Sequence, residues 1–315
     1  MVTRRQLVGS GLLVAGLAAL GVGTAVLRRH PVTGPPELRI ATGPPGAVFR
    51  EVGSALAEVL GEVLPGTRVR TIPTGASVDN LALLASGDTD LALASLDATV
   101  AGLPAAEPGR IAAVARLYDS WVQLLVARDS PVTSLRDLAG RRVAAGADGS
   151  GTRFTTGRLL DLAGVRAELV TANQDEAVAA LAAGTVDALF TLTGVPTPAV
   201  TRLARMSAVR LVPLGEFVAA LNNRFGELYT PATLPSSAYP GVGAAETMTT
   251  PNLLLAQAGL ADDLVELIAA TLFARRDRIA RGHPEANRIN TRTGIATGPI
   301  PLHPGAVRYF RSVKA

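Results

Sequence analysis

Residues 79–93 read Asp-Asn-Leu-Ala-Leu-Leu-Ala-Ser-Gly-Asp-Thr-Asp-Leu-Ala-Leu, and residues 176–190 read Glu-Ala-Val-Ala-Ala-Leu-Ala-Ala-Gly-Thr-Val-Asp-Ala-Leu-Phe. In each, an apolar pattern of helical period stops at a glycine, Gly87 or Gly184. An aspartate follows three residues later, Asp90 or Asp187, and a short apolar strand begins. Glycine just past a helix end adopts the left-handed conformation without a Cβ penalty. A repeated helix–turn–strand unit predicts two similar α/β lobes rather than one large sheet, and two lobes enclose a cleft where a small molecule binds. Asp90 and Asp187 are assigned to the turn itself.

Working outward from the first copy, the pattern predicts a strand at 38–42, a loop at 43–46, a helix at 49–64, a strand at 67–72, a helix at 77–86 and a strand at 90–94. Around the second copy it restarts, with strands at 142–145, 167–170 and 188–192 and helices at 152–162 and 175–183. Strands separated by helices indicate parallel sheets covered on both faces. Residues 111–117 and 121–127 are two strand-like runs around Tyr118-Asp119-Ser120, the second crossing into the other lobe. After 209–213 the chain reads as irregular, with Pro231, Pro235 and Pro240. A return strand is expected at 247–255 and a long amphipathic helix at 262–279. The chain therefore visits lobe 1, then lobe 2, then lobe 1 again, as in a hinged clamshell. Lobe 1 is expected over 37–121 and 246–315, and lobe 2 over 122–245.

Composition narrows the function classes. The 315 residues are 48% hydrophobic, enough for two domains with their own cores. Cysteine is absent, which excludes disulfides, a thiol nucleophile and Cys-ligated zinc. The net charge of +4 comes from Arg4, Arg5, Arg28 and Arg29, because residues 1–36 contain no acid and the rest balances. A neutral folded part gives no electrostatic support for a nucleic-acid partner. Thr3-Arg4-Arg5-Gln6-Leu7-Val8 resembles a twin-arginine export signal. The uncharged run 6–27 is long enough, at roughly 33 Å of helix, to cross a bilayer core. Residues 1–36 are thus expected to be an export signal or a retained membrane anchor with a linker, and the folded part to work outside the cytoplasm.

The candidate chemistry sits in loops that follow strands. Asp148-Gly149-Ser150-Gly151-Thr152 opens a helix, where unpaired N–H groups and hydroxyls meet the positive end of the helix dipole. Ser150, Gly151 and Thr152 are therefore expected to hold a carboxylate, although Ser150 or Thr152 also reads as a plain helix cap. The matching loop of lobe 1 offers Gly46 and Phe49, with Pro44 and Pro45 lacking N–H groups. Thr74, Ser77 and Ser95 would complete that wall, and Thr191 and Thr193 would add hydroxyls from lobe 2. These positions fall at the carboxyl ends of strands, the edge where open α/β sheets bind ligands. Ser77 reads equally as a cap. Neither a dinucleotide fingerprint nor a phosphate loop is present, so no nucleotide cofactor is implied. His30, His283 and His303 form no local triad or metal-spaced pair, and Ser150 lies in Asp-Gly-Ser-Gly rather than a nucleophile elbow. An enzyme is not expected.

The chain resembles the TAXI-type solute-binding proteins, the extracytoplasmic receptors of TRAP transporters. The likeness runs from about Leu38 to Phe310 and is carried by the stretches 74–80, 84–92 and Gly149-Ser150-Gly151-Thr152. Thr193-Gly194-Val195-Pro196-Thr197-Pro198, Ala238-Tyr239-Pro240-Gly241 and the stretch 301–306 add to it. It implies an α/β fold of the two-lobed periplasmic-binding-protein type, type II-like, with a hinge and a central ligand cleft. It also implies capture of a small organic anion, glutamate- or dicarboxylate-like, and delivery to membrane permease subunits. A sensor protein is the alternative partner, and a monomer is expected. The chain departs from the family at Gly46-Ala47-Val48-Phe49-Arg50-Glu51, where relatives carry Gly-Gly-x-Tyr-Tyr-Pro, and at Ser95-Leu96-Asp97, where they carry Gln-Ser-Asp. Arg50 offers either a new positive contact or a solvated side chain.

Overall fold

The strand Glu37–Ala41 (β1) starts a parallel arrangement in which each strand is followed by a helix. A computed structural model describes residues 32–102 and 109–314; the export and anchor expectations for residues 1–31 lie outside the described residues. The helix Val48–Val63 (α1) follows β1, then Arg68–Ile72 (β2), Ser77–Ser86 (α2), Leu91–Ser95 (β3) and Leu96–Gly102 (α3). The second series runs Arg142–Ala144 (β5), Gly151–Ala163 (α4), Glu168–Val170 (β6), Gln174–Ala182 (α5), Ala188–Thr193 (β7) and Pro198–Met206 (α6). Ile111–Ala127 (β4) lies between the two series, and Val209–Val212 (β8), Val218–Phe225 (α7) and Thr230–Leu234 (β9) follow the second. Ala245–Gln257 (β10) returns, and the helices Asp262–Ala274 (α8), Arg276–Ile279 (α9), Thr291–Gly294 (α10) and Pro304–Ser312 (α11) close the chain.

The two repeated units form the same local device. Asp90 Oδ2 accepts hydrogen bonds from the Arg39 amide (2.7 Å) and Nε (3.1 Å), and Arg39 Nη2 donates to the Gly87 carbonyl at 3.0 Å. In the second unit Asp187 Oδ2 takes the Arg142 amide (2.9 Å), and Arg142 Nη2 donates to the Gly184 carbonyl at 3.1 Å. Gly87 and Gly184 have φ of +87° and +71°, the left-handed turn that lets the chain reverse from helix to strand. The hydrogen bonds from Arg142 hold the Asp187 carboxyl below its ordinary pKa. Each unit thereby pins the start of its second strand to the neighbouring parallel strand.

One ladder of ten strands joins the two series, in the order β2-β1-β3-β10-β4-β7-β5-β6, with β8 on β4 and β9 on β10. The expected pair of separate sheets is corrected on this point. The expected break at Tyr118-Asp119-Ser120 is absent, because β4 runs unbroken and pairs with β10 early and with β7 and β8 late. Leu253–Gln257 pairs with β3 and the start of β4, whereas Ala245–Thr249 pairs with β9. β4 and β10 are therefore the strands through which the two series join. The region expected to be irregular holds α7 and β9, and the helix expected over 262–279 ends at Ala274. Among the described residues no helix is long and apolar enough to cross a membrane.

The apolar interior follows the strands. Ile40, Leu91, Leu93, Leu124, Leu125 and Val143 are fully buried, and Leu56 and Leu60 of α1 and Leu159 of α4 cover them. Each such side chain stabilises the fold by about 1.5–3 kcal/mol relative to exposure. Asn80, completely buried, donates to the carbonyls of Thr42 (2.5 Å) and Leu93 (2.6 Å), so one amide holds together the carboxyl ends of β1 and β3.

Candidate functional site

A cavity of about 60 Å³ lies where the carboxyl ends of β1, β3 and β7 meet the middles of β4 and β10. Four helix N-termini face it. Ala47, Val48 and Phe49 come from α1, Ser77 from α2, Ser150, Gly151 and Thr152 from α4, and Asn173 and Gln174 from α5. That convergence follows from the topology, since each parallel strand delivers the next helix start to the same edge. The Ser150 hydroxyl caps α4, accepting from the Arg153 amide at 3.0 Å and donating to the Ala147 carbonyl at 2.6 Å. The amides of Gly151 and Thr152, which that cap does not reach, have no acceptor among the described residues.

Of the residues singled out from sequence, Phe49, Ser77, Ser95, Ser150, Gly151, Thr152 and Thr193 line the cavity. Gly46, Thr74 and Thr191 do not line it. Thr74 donates to Asn80 Oδ1 at 2.5 Å and accepts from the Ala76 amide at 3.0 Å, setting the turn into α2. Thr191 accepts from Gln174 Nε2 at 3.0 Å and so orients a side chain that does reach the cavity. The Gly46 Cα lies near the Asp175 carboxylate of α5. The hydroxyls that line the cavity are partly engaged. Ser77 Oγ accepts from the Ser95 amide at 3.1 Å, and Thr152 Oγ1 accepts from the Leu192 amide at 3.1 Å. Ser95 Oγ is buried without a partner. Arg50 Nη1 donates to Thr71 Oγ1 at 2.7 Å and does not line the cavity.

Sequence reading missed Ser120, Gln174 and Asn252. Ser120 and Asn252 face each other across β4 and β10, hydrogen-bonded at 2.9 and 3.1 Å, and form the floor between the two crossing strands. The signal for Asn252 was a lone amide just ahead of the apolar run Leu253-Leu254-Leu255-Ala256. Among the described residues that line the cavity none carries a charge, and no group of three or more His, Asp or Glu side chains is placed to hold a metal ion.

Contacts between segments distant in the chain surround this cavity. The amides of Val78 and Asp79 at the start of α2 both donate to the Gly149 carbonyl, at 2.9 and 3.1 Å. Asp97, fully buried, accepts from Thr155 Oγ1 (2.6 Å) and the Tyr229 hydroxyl (2.9 Å), and Arg158 Nη1 donates to Tyr229 at 3.1 Å. Burial and the Asp97 charge push the Tyr229 phenol well up, so it stays a donor. On another side, Glu285 Oε1 accepts from the Val195 amide at 2.9 Å. His283 Nδ1 accepts from the Glu285 amide at 3.2 Å, which leaves Nε2 as the donor to the Pro196 carbonyl at 3.1 Å.

Solved structures share this fold. The periplasmic aliphatic sulphonate binding protein SsuA of Escherichia coli superposes with a TM-score of 0.51 at 20% identity, over 88% of this chain and 84% of SsuA. XAC2383 of Xanthomonas citri, solved bound to a chloride ion, superposes with a TM-score of 0.51 at 12% identity, over 89% of this chain and 96% of its own. At such identities the likeness is one of fold, the two-lobed fold of the periplasmic binding proteins. The sequence itself matches the NMT1-like family over residues 40–313, from the fourth residue of β1 to one residue past α11. The chain belongs to the NMT1-like family.

Proposed function

We propose that the chain is an extracytoplasmic solute-binding protein that closes two lobes, residues 37–121 with 246–315 and residues 122–245, over a small organic anion. The observation that carries this reading is the cavity at the carboxyl strand ends, lined from both lobes and faced by the free amides of Gly151 and Thr152. An anion there gains charge-assisted hydrogen bonds worth about 1.5–3 kcal/mol each. Ser150, Gly151 and Thr152 hold the anion, with Thr193 beside them, and Phe49, Ser77 and Ser95 form the facing wall. Gly46, Thr74 and Thr191 act one layer back, through the loop conformation and through Asn80 and Gln174.

Binding closes the hinge in β4 and β10 because the ligand touches both lobes only in the closed form. The closed surface is what a membrane permease reads, and the resemblance to TAXI proteins favours a TRAP-type permease. SsuA, named a periplasmic binding protein, supports the same location, as does the twin-arginine-like segment. Native mass spectrometry of the purified chain, followed by denaturation and identification of the released compound, tests the reading. A stoichiometric small organic acid is expected. An empty protein that no carboxylate, amino acid or neutral solute stabilises thermally would overturn it.

A further inference from the structure

We infer that the ligand is a monocarboxylate with an apolar tail, rather than a dicarboxylate or an amino acid. This deepens the binding-protein reading and rests on it. Three observations converge. First, the side chains lining the cavity include no arginine, lysine, aspartate or glutamate among the described residues. An ammonium group would lie there without a carboxylate partner, and a second carboxylate without a cation.

Second, one carboxylate is provided for at one end of the cavity. Ser95, 1% exposed, has a hydroxyl with no partner. It stands beside the Gly151 Cα, so close that an added Cβ would lie 3.2 Å from Ser95 Oγ. The free amides of Gly151 and Thr152 point from the same place, the positive end of a thirteen-residue helix. Three donors from two lobes thus surround one anionic group.

Third, the lining offers an apolar surface for the rest of the ligand: Val48, Phe49, Ala177, Phe190 and Leu192 lie among the uncharged polar side chains of Ser120, Asn173, Gln174 and Asn252. The carboxylate lies between Ser95 and the start of α4, and the alkyl or acyl end packs against Phe49 and Phe190.

Titration calorimetry on the purified full chain, after any bound compound has been removed, tests this with propionate, butyrate, pyruvate, butanamide, succinate and glutamate. At least one monocarboxylate is expected to bind about tenfold or more tighter than succinate, glutamate and the uncharged amide. Ser95→Ala is expected to weaken that monocarboxylate by about 10- to 100-fold. If succinate or glutamate binds tightest, the binding-protein reading stands and the monocarboxylate assignment is overturned. If butanamide matches butyrate, the anionic character is overturned. Wild-type affinity in Ser95→Ala overturns the placement of the carboxylate, and no binding by any compound in an empty protein overturns both readings.

Discussion

Asp97 offers the sharpest handle on closure. It follows β3, and its two side-chain hydroxyl partners, Thr155 of α4 and Tyr229 ahead of β9, belong to the other lobe in the proposed division of the chain. Opening the hinge must break both hydrogen bonds and hydrate a carboxylate that is otherwise fully buried. Replacing Thr155 with valine removes one donor while keeping the shape of the side chain. A hydrogen bond to a charged group contributes about 1.5–3 kcal/mol net. Because this bond exists only in the closed form, its whole value enters the closing equilibrium, and ligand affinity falls by roughly 10- to 150-fold. Thr155→Ser retains the hydroxyl and is expected to bind nearly as the wild type does. Calorimetry measures the affinities, and small-angle scattering with saturating ligand measures the share of closed molecules. Unchanged affinity in Thr155→Val would refute the idea that Asp97 latches the lobes.

Other consequences can be checked alongside it. Gly149→Ala would put a Cβ 1.8 Å from Asp79 Oδ1 at a φ of +72°, a conformation that costs an L-residue about 1–2 kcal/mol before the clash is counted. The variant is expected to keep its circular dichroism spectrum and to lose about tenfold or more in affinity, because only the closed form brings Gly149 against α2. His283 and His303 both cap a following helical turn through Nδ1, and burial lowers both pKa values from 6.5. The unfolded chain therefore binds more protons between the lowered values and 6.5, so their stabilisation is complete above 6.5 and is lost as pH falls through that window. Chemical denaturation from pH 5 to 8 is expected to show this loss in the wild type. A His283→Asn/His303→Asn double variant, which keeps a capping acceptor, should lack it. Glu285 acts with the opposite sign, since burial raises its carboxyl above 4.5 and its contribution fades as pH rises through that raised value.

The repeated unit was legible because its information is local: a helix end, a left-handed glycine, an aspartate and a strand within fifteen residues. Its arginine was not legible. Arg39 and Arg142 lie 51 and 45 residues before Asp90 and Asp187, and only parallel register brings them together. The same limit explains β4. Tyr118-Asp119-Ser120 reads as a turn on propensity, yet Tyr118 is buried and Ser120 meets Asn252, 132 residues away. β9 was hidden by Pro231, which an edge strand tolerates because one side of its backbone needs no ladder donor, and β9 pairs only with β10.

Loop residues at strand ends were easier to foresee than the layer behind them. Ser150, Gly151 and Thr152 follow from a strand–glycine–helix pattern. That Thr74 would orient Asn80, and Thr191 Gln174, depends on side-chain geometry that no spacing encodes. The missing charges were decided by absence. An anion site was expected from the helix start, but only the assembled lining leaves the cavity without a counter-charge for a second ionic group.

The central claim is that the open first turn of α4 holds an anion between the lobes. Amide chemical shifts in a ¹⁵N-labelled sample, titrated with butyrate or with the compound released from the purified protein, test it directly. The account predicts that the Gly151 and Thr152 amide protons move downfield as they gain a charged acceptor, in step with occupancy. Binding that leaves both resonances in place while others shift would contradict it.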